Sequence, residues 1–247
     1  MRNTITKRLA AVATVSALVL TVPGNAFAQT QPVDPASVET DRAGAIDQTK
    51  RRALEAIDKR LDAVAGWTQR VAESEHLDAG HRATLVAELE ATTRGLTALA
   101  ADIEAATTLS ELGALVPKIV EDYWVFALLG PKVHLVIAAD AMTHIGGRLE
   151  EVSSTIQAAI DRLEEADYDP AEAQAALDRM RAHLGVAASL IDPVPATVLG
   201  LKPVDMPEAS DRLRNARAEL ESAGEELRAA GRAGREAVEA IRKAITP

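Results

Sequence analysis

Apolar residues return along this chain at alternating intervals of three and four. Leu54, Ile57, Leu61, Val64, Thr68 and Val71 form the first series, and that spacing puts them on one side of a helix. Leu85, Leu89, Thr92, Leu96, Leu99 and Ile103 form a second. Met142, Ile145, Leu149, Val152, Ile156, Ala159 and Leu163 form another, and Ala173, Leu177, Met180, Leu184, Ala187 and Ile191 a further one. The C-terminal stretch has the sharpest pattern. Leu213, Leu220, Leu227, Gly234 and Ile241 stand seven apart, and Ala216, Ala223, Ala230, Ala237 and Ala244 follow three residues behind. Small residues at one seam position of each heptad permit close approach of a partner helix. Another helix of the same chain is the first expectation for that partner; a separate protein meeting Ala223 and Ala230 is the alternative.

The breaks between series carry their own signals. "EHLDAGH" (Glu75 to His81) separates the first two, with Asp78 as N-cap. Thr108 precedes Glu111 by three residues, a capping box that opens a third helix. Pro117 should kink that helix, and Gly130-Pro131 should end it and start the fourth. In "DYDPAE", Asp169 caps and Pro170 takes the first helical position. The prolines of Asp192 to Pro207 predict a loop, and a last helix runs from about Pro207 to Ile245. The expected fold is all-α: an elongated antiparallel bundle of about six helices with coiled-coil-like packing. An aromatic content of 2% and a chain dominated by Ala, Leu, Glu and Arg agree with it.

"YWVFALLGPKVHLVIAA" (Tyr123 to Ala139) is the least polar stretch beyond the N-terminus. Gly130-Pro131 divides it and its second arm carries Lys132 and His134, so neither arm is expected to cross a bilayer. A helix apolar on all sides belongs in a core, and Phe126, Leu128, Leu129, Leu135 and Val136 are expected to be buried there. Tyr123, Trp124 and Phe126 could instead form a platform for a ligand. Trp67 reads as a filler between helices and Gly146-Gly147 as a close helix crossing.

The N-terminus changes the picture of where the protein works. Arg2, Lys7 and Arg8 precede an uncharged run from Leu9 to Val22, then Pro23-Gly24 and Ala26-Phe27-Ala28. This is the pattern of a secretory signal peptide cut after Ala28. Residues 1–28 are therefore expected to be a leader, 29–37 a flexible linker and 38–247 the helical domain. Without Arg2, Lys7 and Arg8, 24 Lys+Arg face 37 Asp+Glu, and the formal net charge moves from −10 to −13. Such a balance disfavours nucleic acid as a partner. With no cysteine, neither disulfides nor thiolate metal sites hold the exported chain.

Two blocks, "KIVEDYWVFALLGPKVHLVIAADAM" (Lys118 to Met142) and "KPVDMPEASDRLRNARAEL" (Lys202 to Leu220), resemble an uncharacterised group of exported, alanine-rich, all-helical bacterial proteins. The resemblance implies export and a helical fold, and brings no activity with it.

The candidate chemistry is sparse. On a helical wheel His134, Asp140 and His144 fall at about 0°, 240° and 280°. An imidazole–carboxylate set of this kind suits zinc or another borderline metal, although the spacing matches no zinc signature. His76, Asp78 and His81 form a second cluster, read as surface polar residues. No nucleophile beside a base, no phosphate-binding glycine loop and no distinct carboxylate pair points to catalysis. No enzyme activity and no cofactor is expected. The sequence predicts an exported structural or protein-interaction module of the envelope or extracellular space, with a partner met through helical faces. A carrier of lipid or another hydrophobic ligand is the alternative, and a metal-binding protein the second.

Overall fold

The computed structural model describes residues 35–246. The leader and its expected cleavage site lie outside the described residues, as does most of the expected linker. The last residues of that linker, from Pro35, already belong to a helix. The described residues form helices and turns with no strand: α1 (Pro35–Glu73), α2 (Ala79–Ala105), α3 (Leu109–Leu115), α4 (Lys118–Glu121), a π-helical turn (Val125–Leu129), α5 (Gly130–Glu165), α6 (Ala171–Ile191), α7 (Pro193–Leu199), a 3₁₀ turn (Pro203–Asp205) and α8 (Glu208–Ile245). The fold is all-α.

The predicted series of α1, α2, α6 and α8 largely mark their buried faces; that of α5 does not, since Ile145 and Val152 are about half exposed and the buried line there runs through Ser153, Ile156, Ile160 and Leu163. Ile57, Val64 and Val71 of α1, Leu85, Leu89, Leu96 and Ile103 of α2, and Leu177 and Met180 of α6 are all fully buried. Two helix starts form as their side chains dictate, whereas α6 begins at Ala171, with Pro170 just before it and not at its first position. Asp78 accepts hydrogen bonds from the backbone N–H groups of Gly80 (2.8 Å) and His81 (3.1 Å). Thr108 accepts from Glu111 N–H (3.2 Å), while the Glu111 carboxylate accepts from the N–H groups of Thr107 (2.6 Å) and Thr108 (3.1 Å). These contacts hold the Asp78 and Glu111 carboxyls below the usual carboxylate range.

Several expectations need correction. Among the described residues there are five long helices, where about six were expected: the third breaks into α3, α4 and the π turn. Pro117 supplies no N–H to continue α3, and Trp124, at φ 42° and ψ 40°, takes the left-handed conformation and turns the chain again. The Asp192–Pro207 segment is not a loop throughout, since it contains α7 and the 3₁₀ turn. Pro193 and Pro195 fall in the first turn of α7, where a missing N–H costs no helical bond. Gly130-Pro131 does not separate two helices either, because the π turn runs directly into α5 with the proline in its first turn. By length and composition alone, Leu109–Glu165 and Ala171–Leu199 are long and apolar enough to cross a membrane; their most apolar windows are 50% and 33% buried inside the protein.

The apolar stretch sits in the core on one side only. Val125, Leu128, Leu129, Val133, Val136 and Ala139 are buried, but Phe126, expected among them, is 53% exposed. Lys132 is completely buried: its ammonium donates to both carboxylate oxygens of Glu88 on α2 (2.6 and 2.9 Å) and to the Leu201 carbonyl (2.8 Å). It thereby ties α5 to α2 and to the chain after α7. The close helix approaches are not at Gly146-Gly147. A Cβ on Gly146 would lie 3.9 Å from Leu227, ordinary contact, and one on Gly147 would meet nothing within 4 Å. The close helix approach is at Gly234, where a Cβ would stand 2.9 Å from Met180 Sδ, while at Gly95 a Cβ would collide with the Tyr123 ring from the turn after α4.

Candidate functional site

A cleft of about 970 Å³ opens where α1, the π turn, α5 and α8 meet. Trp67 contributes from α1, Phe126 and Ala127 from the π turn, and Gly130, Pro131, His134, Leu135, Ala138 and Met142 from α5. The α8 wall consists of Ser210, Leu213, Arg214, Arg217, Leu220, Glu221, Gly224 and Arg228.

Local backbone geometry presents the aromatic floor. In a π turn the hydrogen bonds reach five residues back, as Gly130 N–H does to Val125 C=O. The wider turn keeps Val125, Leu128 and Leu129 inward and leaves Phe126 and Ala127 at the cleft. The left-handed Trp124 that precedes it costs about 1 kcal/mol for a residue with a side chain. Single π turns and strained residues concentrate at functional sites. Gly130 then makes room for Trp67: a Cβ there would lie 2.5 Å from the indole Cζ2. Trp67 meets Phe126 edge to face, with ring centroids 6.3 Å apart and planes at 79°, a favoured aromatic arrangement. The Arg60 guanidinium stands 5.4 Å from the Phe126 centroid, and partial burial pulls its pKa down.

The rim is basic. Arg214 pairs with Asp211 (2.7 Å) and Arg217 with Glu221 (2.9 Å), both within one turn of α8 and both largely solvent-exposed. Arg228 donates to the Gly224 carbonyl (2.9 Å) and has no carboxylate in salt-bridge range among the described residues. His134 Nδ1 stands 3.3 Å from Arg70 Nη1. Since a guanidinium only donates, Nδ1 is the acceptor there. Desolvation first, and then the Arg70 charge, push the His134 pKa below the usual histidine value.

The expected metal trio is dispersed. His134 lines the cleft. Asp140 is buried, accepts from Asp78 N–H (2.8 Å) and meets His81 Nδ1 at 3.0 Å. The His144 ring stacks on His76 with centroids 3.8 Å apart. The two sequence clusters interleave across the α1–α2 connection, and no three His, Asp or Glu among the described residues are placed to hold a metal ion. Tyr123 and Trp124 do not line the cleft. Tyr123 packs over Gly95 of α2, and Trp124 is half-buried against the core. Ala223 and Ala230 are fully buried in a helix whose main contact is α6, so the chain itself occupies that seam. Of the three aromatics of the possible ligand platform only Phe126 lines the cleft; its pairing with Trp67 and the arginine rim are not foreseen from the sequence. Their signal was present beside the heptad: Arg214, Arg217, Glu221, Gly224 and Arg228 recur at three and four, one position beyond the apolar seam.

No protein-family model matches this chain, and no curated protein or solved structure matches it.

Proposed function

We propose that the protein is an exported helical binding module that holds a hydrophobic ligand in the cleft between α1, α5 and α8. The observation that carries this is the open apolar floor: Phe126 is 53% exposed beside Trp67 in a cleft of about 970 Å³, within the size range of small-molecule sites. A partner helix on the Ala223/Ala230 seam is the weaker reading, because those side chains are already covered. The scaffold is an antiparallel bundle with coiled-coil-like contact between α6 and α8. In its support, the pairs Glu172–Lys243 (3.0 Å), Arg179–Glu236 (2.9 Å) and His183–Glu226 (2.6 Å) run in opposite directions along the two helices. Likeness to exported alanine-rich helical proteins and a leader ending at Ala28 belong to the same proposal, as does a mature chain without a membrane span. The buried Lys132 and Asp140 favour packing of α5 against protein over lipid. No catalytic step and no cofactor are assigned.

The test uses the chain from Gln29 with Trp124→Phe, so that emission reports Trp67 alone. Binding of the neutral apolar dye N-phenyl-1-naphthylamine should quench or shift that emission saturably and in the absence of vesicles, and Phe126→Ala should weaken it about tenfold, as loss of an aromatic contact does. A dye that leaves Trp67 emission unchanged defeats the proposal.

A further inference from the structure

From the rim of the cleft we infer that its ligand is a single-chain amphiphile with an anionic head, a free long-chain carboxylic acid, its chain on the aromatic floor and its carboxylate at Arg214, Arg217 and Arg228. This rests on the proposed binding role. The chain as a whole has 37 acidic and 27 basic residues, yet the cleft is lined by these three arginines against the single carboxylate of Glu221. Even counting Asp211, which pairs with Arg214, the charge at this rim is positive, beside an open apolar floor. A neutral ligand would need no such rim.

The arginines are available to an incoming anion. The Arg214–Asp211 and Arg217–Glu221 pairs are i,i+3 and i,i+4 contacts with side chains 67–75% exposed, the kind of pair that contributes little and exchanges readily. Arg228 is held only by a backbone carbonyl. Guanidinium forks match a carboxylate in two-point geometry, and the apolar floor begins one turn away at Leu213, Leu220 and Phe126. A cleft of about 970 Å³ is at the upper end of small-ligand sites and has room for an acyl chain.

The experiment displaces N-phenyl-1-naphthylamine from the chain beginning at Gln29 with three probes of equal chain length, laurate, dodecanol and dodecyltrimethylammonium, each below its micelle concentration. Laurate should bind at least about tenfold more tightly than dodecanol, the cation more weakly than either, and the laurate advantage should shrink in added salt. Combined Arg214→Gln, Arg217→Gln and Arg228→Gln should erase the advantage of laurate over dodecanol. Glu221→Gln, which frees Arg217, should increase it. Equal affinity for laurate and dodecanol, or preference for the cation, overturns the anionic head while leaving the binding role intact. Displacement of bound dye by none of the probes overturns the amphiphile and leaves the binding role, whereas a dye that does not bind overturns both. A dimer in sedimentation that Phe126→Ala dissociates, with no laurate uptake, would instead assign the floor to a second copy of the chain.

Discussion

Two stripes of α8, one residue apart around the helix, meet opposite surroundings. Ala216, Ala223, Ala230 and Ala237 are buried to 2% or less, and Gly234 lets Met180 lie against the backbone. Arg214, Arg217, Glu221, Gly224 and Arg228 border the open cleft. On the first stripe the side chains are too small to hold a neighbouring helix away, so α6 closes on it. On the second, long charged side chains keep their heads in water, and the bulky Trp67 and Phe126 opposite leave a gap that no neighbour fills. α5 shows the same contrast within three residues: Lys132 turns to the closed side and is wholly buried, while His134 lines the cleft.

The largest expected effect lies on the closed side. Glu88→Ala would leave the Lys132 ammonium buried with only the Leu201 carbonyl as partner, and removing one member of a buried pair costs about 3–5 kcal/mol. Because the Glu88 side chain is 24% exposed, the lower end is expected, read as a fall in the urea midpoint. Lys132→Met together with Glu88→Leu should recover most of it. If the double replacement is as unstable as Glu88→Ala, the carboxylate is contributing packing and not charge compensation.

Next is the alanine seam. Ala223→Phe should overpack a position that is 0% exposed and cost about 1–3 kcal/mol. An unchanged melting temperature would mean that α6 and α8 are not in close contact there, and the contrast between the two stripes would collapse.

The closed side was legible in the sequence and the open side was not, for a physical reason. Burial against a neighbouring helix imprints the three-four rhythm directly, so the faces of α1, α2, α6 and α8 could be read from Leu54, Leu85, Leu177 or Leu213 and their successors. A cleft is defined by what does not meet, and Trp67, Phe126 and Arg228 are far apart in the chain and carry no shared period. The apolar run at Tyr123–Ala139 misled on Phe126 because a wheel of 3.6 residues per turn does not anticipate the π turn at Val125–Leu129. The prolines of α7 misled because a proline forbids a helix interior but suits a first turn. The two histidine clusters stand apart in the sequence, and their pairing across the α1–α2 connection depends on how α5 lies beside it.

On the open side, truncation should cost function and little stability. Phe126→Ala removes a half-exposed ring whose contacts are an edge-to-face Trp67 and the Arg60 guanidinium, each worth about 1 kcal/mol or less at such a site. A melting temperature close to wild type together with weakened dye binding separates the cleft from the core. A loss comparable to that of Ala223→Phe would place Phe126 among the residues that hold the fold.

The smallest effect is the one that links the cleft to pH. Burial and Arg70 on α1 lower the His134 pKa in the folded protein, and the charged groups across the cleft on α8 are Arg214, Arg217, Glu221 and Arg228. As pH falls through the ordinary histidine value of about 6.5, the unfolded chain takes up a proton before the folded one does. Stability therefore declines with falling pH in that window, and the decline is complete once pH is below the lowered folded value. Because His134 is exposed, the slope is expected to be slight. It is best read as the difference in melting temperature between wild type and His134→Gln from pH 7.5 to 5, which cancels whatever the two proteins share. A bound carboxylate should reverse the trend, since an anion beside His134 favours its protonated form. Laurate affinity should then rise as pH falls through the same window in wild type and stay level in His134→Gln. Identical pH profiles for the two proteins would show that the imidazole stands too far from the head of the ligand to feel it.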